Sequence, residues 1–288
     1  MRINMRTMTR KLNEKNQKNF FWPKIVEIYK QVFSVLRKDP TLFILFSIIA
    51  FLDLLALLVL FFAPTPPVSY ILAPIIRNFW SEKFLHYPYN FSLLPKLFNC
   101  AHFLITMLVG VFVSGLVIKK IEGHIVQGEH LSILSAARPV SKTYFSLIVA
   151  WLISYGFFSF SLKALLPLVR FNIWLQILVA FFASVIFQAL VAFFLPAILI
   201  LKGGFLRKMW KALNYGAKNI LTTGILIALP VLLLMVFSFF KMLTPYYLKV
   251  YPEMVLWVLV IGIAIMTVVD VLITSSTTVL FLKVREKS

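Results

Sequence analysis

The chain has few charged residues and a single cysteine. Charged side chains make up 14% of its 288 residues, and Asp and Glu together number 10. One cysteine, Cys100, excludes an internal disulfide framework. The hydrophobic share of 61% excludes a disordered chain and exceeds what one water-soluble core can hide. Together with a mean hydropathy of +0.92, it predicts an all-α polytopic membrane protein.

Motifs for catalysis and for cofactor binding are also missing. The sequence has no Gly-x-Gly-x-x-Gly, no P-loop, no His-Glu-x-x-His and no paired-Cys zinc motif. The His124-x5-His130 spacing fits no common metal template, and Cys100 beside His102 is interpreted as packing because no third partner is visible. We therefore predict no catalytic residue, no metal site and no cofactor, and a protein that is not an enzyme.

Six apolar stretches are long enough to cross a bilayer, which takes about 20 helical residues. They are Leu42–Ala63 and, approximately, Ala101–Ile118, Tyr144–Leu166, Ile173–Leu201, Leu221–Phe240 and Met254–Leu282. The short link Pro167–Asn172 predicts that spans three and four form an antiparallel hairpin. The longest outer loop, Pro64–Asn99, is rich in aromatic residues, which favours contact with the outer leaflet. Residues 1–24 are interpreted as a basic cytoplasmic tail, and residues 25–288 as one six-span domain.

Lys and Arg are distributed unevenly between the two sides. Of 29 such residues, 22 lie in the N-terminal arm, the loops 119–143 and 202–220, and the C-terminal tail. Basic residues in short loops stay in the cytoplasm, so both termini are predicted to be cytoplasmic. The net charge of +19 then indicates contact with anionic lipid of the bilayer, and nucleic acid is not needed to explain it.

A basic amphipathic segment precedes each odd-numbered span: Ile25–Pro40, Leu131–Pro139 and Phe205–Lys218. This pattern predicts three parallel repeats, each an interfacial helix followed by a membrane hairpin. The expected apolar faces consist of Ile25, Ile28, Val32, Val35 and Leu36 in the first segment, and of Phe205, Met209, Ala212, Leu213 and Gly216 in the third. We expect these faces to lie in lipid, and the basic residues to contact lipid headgroups: Arg207, Lys208, Lys211 and Lys218.

Two acids lie within the spans, Asp53 and Asp270, both near mid-membrane. A charge at that depth costs about 2.5–3.5 kcal/mol or more, so an acid there indicates function by default. One hypothesis is a proton or cation relay between the first and last spans. The alternative is that each acid is protonated or bonded to neighbouring hydroxyls, such as those of Thr274–Thr278, because no basic partner is apparent at the same depth. Gln188 is interpreted as a hydrogen-bonding group between helices.

Two resemblances bear on function. Ala212-Leu-Asn-Tyr-Gly216-Ala217, followed by Leu229-Pro230, resembles the coupling-loop signature of importer-type ABC permeases, although Trp210 stands where that signature has Glu. Over about residues 20–288 the chain resembles six-span bacterial membrane domains of unknown function. These include the domain attached to some glycerophosphoryl diester phosphodiesterases, and the resemblance rests on the repeated basic segment, as in Lys208–Lys218.

The second resemblance implies a non-catalytic component of the bacterial inner membrane. Two functions stay open. The first is a scaffold, accessory or lipid-associated protein, with a further membrane or cytoplasmic protein as partner. The alternative is a transporter or ABC-like permease subunit that uses Asp53 and Asp270.

The charge distribution yields a topology prediction. Alkaline phosphatase matures only on the oxidising side of the membrane, where its disulfides form. A fusion after Ser81 should therefore be active, and a fusion after Gln127 inactive, when activity is measured in intact cells. The reverse pattern would reject the orientation.

Overall fold

Helices make up almost all of residues 21–128, 130–165, 167 and 173–286, which are the residues that this computed structural model describes, and no strand occurs among them. The first half comprises α1 (Phe21–Lys38), α2 (Thr41–Phe61), α3 (Ser69–Phe79), a 3₁₀ turn (Glu82–Leu85), α4 (Tyr89–Ile105), a π-helical turn (Thr106–Gly110), α5 (Val111–Glu122) and a second π-helical turn (Gly123–Gln127). The second half comprises α6 (Ile133–Leu165), α7 (Ile173–Val191), α8 (Phe194–Ile200), α9 (Phe205–Lys218), α10 (Ile220–Met242), α11 (Thr244–Val250) and α12 (Met254–Glu286).

Six helical stretches are long and apolar enough to cross a membrane. They are Thr41–Phe61, Tyr89–Val126, Ile133–Leu165, Trp174–Ile200, Ile220–Ser238 and Met254–Glu286. The chain is therefore an all-α multi-pass membrane protein, as the composition predicts. Helix α12 is central to the bundle, because it packs against α1, α2, α5 and α10.

The second span differs from its predicted bounds. Helix α4 begins at Tyr89, so the outer loop is shorter than Pro64–Asn99 and contains α3. The polar residues and the proline near Lys96 lower the local hydropathy, which is why an apolar stretch was expected only from Ala101. Backbone hydrogen bonding continues the helix regardless of that composition.

The three predicted repeats are not equally regular in the structure. Helices α1 and α9 are separate elements, and α1 ends at Lys38, before Pro40, as predicted. The segment Leu131–Pro139 is not a separate interfacial helix, because α6 runs without interruption from Ile133 to Leu165 through Pro139. Proline removes the hydrogen bond to the carbonyl of Ser135, but Ser135 is exposed, so solvent compensates for that loss.

The apolar faces of the two interfacial helices do not lie in lipid as expected. Ile28 and Val32 of α1, and Ala212 of α9, are at most 1% exposed and belong to the main core cluster. The Tyr29 hydroxyl donates to the Leu226 carbonyl at 2.6 Å, and burial raises the pKa of Tyr29 to about 12. Both helices therefore pack on the bundle, where the main core cluster covers their apolar faces.

Ion pairs join the helices at the end of the bundle that carries the basic loops. Lys120 contacts Asp39 at 3.0 Å and Lys283 contacts Glu27 at 2.9 Å, whereas the 2.7 Å contact between Lys119 and Glu122 lies within α5. Burial alone would raise the pKa of Asp39. Hydrogen bonds from Thr41 and Lys120, together with the charge of Lys120, lower the pKa below its usual value. These pairs fix the start of α2 against α5, and α1 against α12.

Gly216 marks the closest approach of α9 to the bundle. A Cβ atom there would lie 2.6 Å from the backbone oxygen of Leu190, whereas a Cβ on Gly156 of α6 would meet nothing within 4 Å. We expect Gly216→Ala to cost about 1–3 kcal/mol of stability, because backbone cannot move aside as a side chain can. Gly156→Ala should stabilise by up to about 1 kcal/mol. Thermal unfolding in detergent would measure both, and equal effects would contradict the close packing.

Candidate functional site

The acid of the first span has a partner on the second span. Asp53 is 3% exposed, and its Oδ2 lies 3.0 Å from Nδ1 of His102. The distance fits a hydrogen bond in which the imidazole donates and the carboxylate accepts. The other carboxylate oxygen, Oδ1, is buried and has no hydrogen-bond partner among the described residues. This oxygen is a free acceptor site inside the bundle.

The pair lies in a polar layer between two apolar clusters. On one side, Leu57, Phe98 and Ile263 belong to a cluster formed by α2, α4 and α12. On the other side, the main core begins with Ile49 of α2 and Val271 of α12. The ring of Phe98 also stacks on His102, with centroids 6.0 Å apart. The layer is therefore closed by hydrophobic side chains toward both ends of the bundle.

The helix carrying His102 is irregular immediately after the site. The π-helical turn Thr106–Gly110 begins four residues later, and Oγ1 of Thr106 lies 3.5 Å from Nε2 of His102. The Leu108 carbonyl within this turn accepts a hydrogen bond from the Tyr144 hydroxyl of α6. Such turns re-aim side chains and occur frequently at functional sites. Here the turn places a hydroxyl beside the second nitrogen of the imidazole.

Asp270 lies close enough to His102 and Asp53 to interact with both electrostatically. It forms no salt bridge with any residue of the described ranges. The alternative in which hydroxyls of span six hold it fails for Thr277 and Thr278, which donate to the Ile273 and Thr274 carbonyls of their own helix. The structure thus brings both predicted acids to one layer, and adds a histidine that the sequence argument missed.

Gln188 lies where two cavities meet. One cavity, of about 440 Å³, extends from Gln188 toward Gln176, and the other, of about 230 Å³, extends from Gln188 toward Pro196. Both are lined by α6, α7, α10 and α12, and α5 and α8 also line the second. Gln188 therefore faces open space in the bundle, and the prediction that it bonds two helices together is not met by any hydrogen bond of the described residues.

The predicted headgroup contacts on α9 divide into two groups. Arg207, Lys211 and Lys218 are exposed along one side of the helix. Lys208 instead donates from Nζ to the Ile198 carbonyl at 2.7 Å, at the C-terminal end of α8. Burial, and secondarily the charge of Lys119, lower the pKa of Lys208. Lys208 thus has an acceptor within the protein, because a helix end with free carbonyls lies within its reach, and its contact with a lipid headgroup stays a prediction.

Comparison with known proteins adds no relative. No family model, curated protein or solved structure matches this chain. The site is therefore interpreted from its own chemistry. Among the described residues, no group of three or more His, Cys, Asp or Glu side chains is arranged to hold a metal ion. What the layer offers is a carboxylate–imidazole pair and a nearby second carboxylate.

His102 and Asp53 are separated by 49 residues, which is why no sequence spacing links them. A longer predicted second span would have placed His102 inside the membrane. It would then have been a candidate partner for an intramembrane acid, because an ionisable side chain inside a membrane helix usually has a partner. The bounds expected for that span placed His102 at its very end.

Replacing one member of the Asp53–His102 pair should lower the stability more than replacing both members. His102→Leu leaves the Asp53 carboxyl buried without its donor, which we expect to cost about 1–3 kcal/mol of stability. Combining it with Asp53→Leu should restore part of that loss, because an apolar pair needs no partner. Thermal unfolding of the single and double variants in detergent measures the coupling. Strictly additive losses would exclude an energetic interaction between the two side chains.

Proposed function

We propose that the protein is a proton-coupled transporter, not an enzyme, of a bacterial inner membrane, with both termini in the cytoplasm. The observation that carries this proposal is the buried contact between Asp53 and His102 in the middle of the spans. An ionisable group at that depth costs stability, so its presence there indicates a function. Carboxylate–histidine pairs are a recurrent form of proton relay.

The chemistry of the pair suits the reversible binding of a proton. A proton on Nδ1 of His102 is shared with Oδ2 of Asp53, and the unpartnered Oδ1 accepts a further proton, which neutralises the carboxylate. Apolar clusters toward both ends of the bundle limit the access of water to the Asp53–His102 pair, so we expect a proton bound there to exchange slowly until the bundle opens. This restriction is what coupling requires, because a proton that exchanged freely with both sides would leak.

A scaffold or lipid-associated protein is the second candidate, and the outer surface of α9 favours it. Leu206 and Trp210 are 80% and 65% exposed, and the basic side with Arg207 and Lys211 lies next to them. A strip of this kind suits the headgroup region of an anionic leaflet. A further membrane or cytoplasmic protein could occupy the same strip. This surface is compatible with transport and does not need the intramembrane acids.

Infrared spectroscopy of the purified protein in lipid would test proton binding without knowledge of the substrate. On acidification, we expect a protonated-carboxyl band at the high frequency typical of an apolar environment. Asp53→Asn should remove that band or shift it, and Asp270→Asn should perturb it. Glu82→Gln is the matched control, since it changes an exposed acid that pairs with Arg77 outside the layer.

The same spectra separate the two candidates. If Asp53→Asn leaves every carboxyl band unchanged, the acid does not exchange protons and the transport proposal fails. The scaffold function would then be favoured, because it makes no use of the polar layer.

A further inference from the structure

The two cavities that meet at Gln188 form one crevice across the bundle. Along the fourth span, which α7 and α8 form, its lining runs from Gln176 to Pro196, a rise of roughly 30 Å, which is about the thickness of the hydrocarbon core. The larger cavity alone, of about 440 Å³, lies within the range of ligand-binding pockets. The crevice is therefore large enough for a small molecule and long enough to serve as its path.

Asp270 lies on the face of α12 that borders this crevice. Met266 lines the first cavity and Thr274 the second, and Asp270 lies between them on the same face of α12. The outward face of α12 carries the exposed residues Trp257 and Ile261, on the opposite side of the helix. Asp270 is nevertheless exposed. Its position one turn from Met266 and one turn from Thr274 indicates that it is exposed toward the crevice, where the two cavities meet at Gln188.

The two acids of the polar layer differ in their partners. Asp53 contacts His102 at 3.0 Å, whereas no salt bridge joins Asp270 to any described residue. The other ionisable groups on helices packed against α12 lie at its two ends. Lys119, Lys120 and Glu122 of α5 and Glu27 of α1 are in ion pairs at the basic end. The part of α10 that lines the crevice, residues 227–238, has no titratable residue.

The rest of the wall is mainly apolar and aromatic, with a few uncharged polar side chains such as Ser184 and Thr274. Phe158 and Phe181 line the cavity on one side of Gln188, and Trp151 lines the cavity on the other. Aromatic faces attract cations, and an apolar wall disfavours a strongly hydrated ion. The Gln188 amide, which lines both cavities, adds a carbonyl acceptor to the crevice. An apolar molecule with one positive charge matches every part of this lining.

We propose that the crevice binds a lipophilic organic monocation, with its charge between Asp270 and Gln188 and its apolar body against the aromatic residues. The assignment rests on the proposed transport function and names its substrate class. Binding of one cation releases one proton from the Asp270 carboxyl, so a proton and a cation exchange at the same group and the charge of the crevice is unchanged.

Equilibrium binding of tetraphenylphosphonium to the purified full chain tests this assignment. We expect saturable binding that weakens as the pH is lowered, because protons compete for the same carboxyl. Asp270→Asn should weaken binding about tenfold or more, since it removes the charge and keeps the shape. Gln188→Ala should weaken it less, and the matched acid-to-amide change Glu82→Gln should have no effect.

Absence of saturable binding to the wild-type chain would overturn the assignment, as would binding that Asp270→Asn leaves unchanged. The wild-type pH dependence keeps the test valid if the Asp270 variant does not fold. Failure here is distinguishable from failure of the proton-binding proposal. If the chain binds no cation but Asp53→Asn removes a carboxyl band, the proton site is supported and this substrate class is rejected. If the chain binds the cation but Asp53→Asn leaves every carboxyl band unchanged, the cation site is supported and proton coupling through Asp53 is rejected.

Discussion

A hydrocarbon environment offers polar groups no water, and most features of this structure follow from that constraint. Backbone groups are satisfied within helices. Several hydroxyls of span six do the same locally, as when Thr267 donates to the Ile263 carbonyl at 2.8 Å. A carboxyl cannot be satisfied by its own helix in this way, so Asp53 depends on a neighbouring span. Its contact with His102 therefore connects the first and second spans, and it is also the contact that we propose binds a proton.

The ends of the spans are subject to a different constraint, because charged groups there have access to water and headgroups. At the basic end, several cations are used internally: Lys120 with Asp39, Lys283 with Glu27 and Lys208 with the Ile198 carbonyl. These contacts orient α1 and α9 against the bundle. The high positive charge of the chain therefore serves packing as well as attraction to anionic lipid, and only the outward-facing cations remain for the latter.

Helices α1 and α9 share a geometry that supports the repeat. In α1 the exposed apolar strip of Val26 and Phe33, and in α9 that of Leu206 and Trp210, lies beside the face packed on the bundle. At 100° per residue, both strips are turned from that face by roughly 120° in the same rotational sense. Helices α1 and α9 thus each bury one face and present an apolar strip on the same side of that face. This arrangement is consistent with parallel units in one membrane.

The number and approximate extent of the spans were determined by the sequence alone, as were the helix Phe205–Lys218 and the end of α1 before Pro40. Hydropathy and helix breakers act over a few neighbouring residues, so no tertiary information is needed. The depth of Asp53 and Asp270 followed from the same counting. Only the tertiary structure decided that His102 is the partner of Asp53, that Lys208 binds the Ile198 carbonyl, and that Ala212 and Gly216 face protein rather than lipid. Each of these depends on which helix lies beside which, and amphipathic periodicity reports that a face is buried without reporting what buries it.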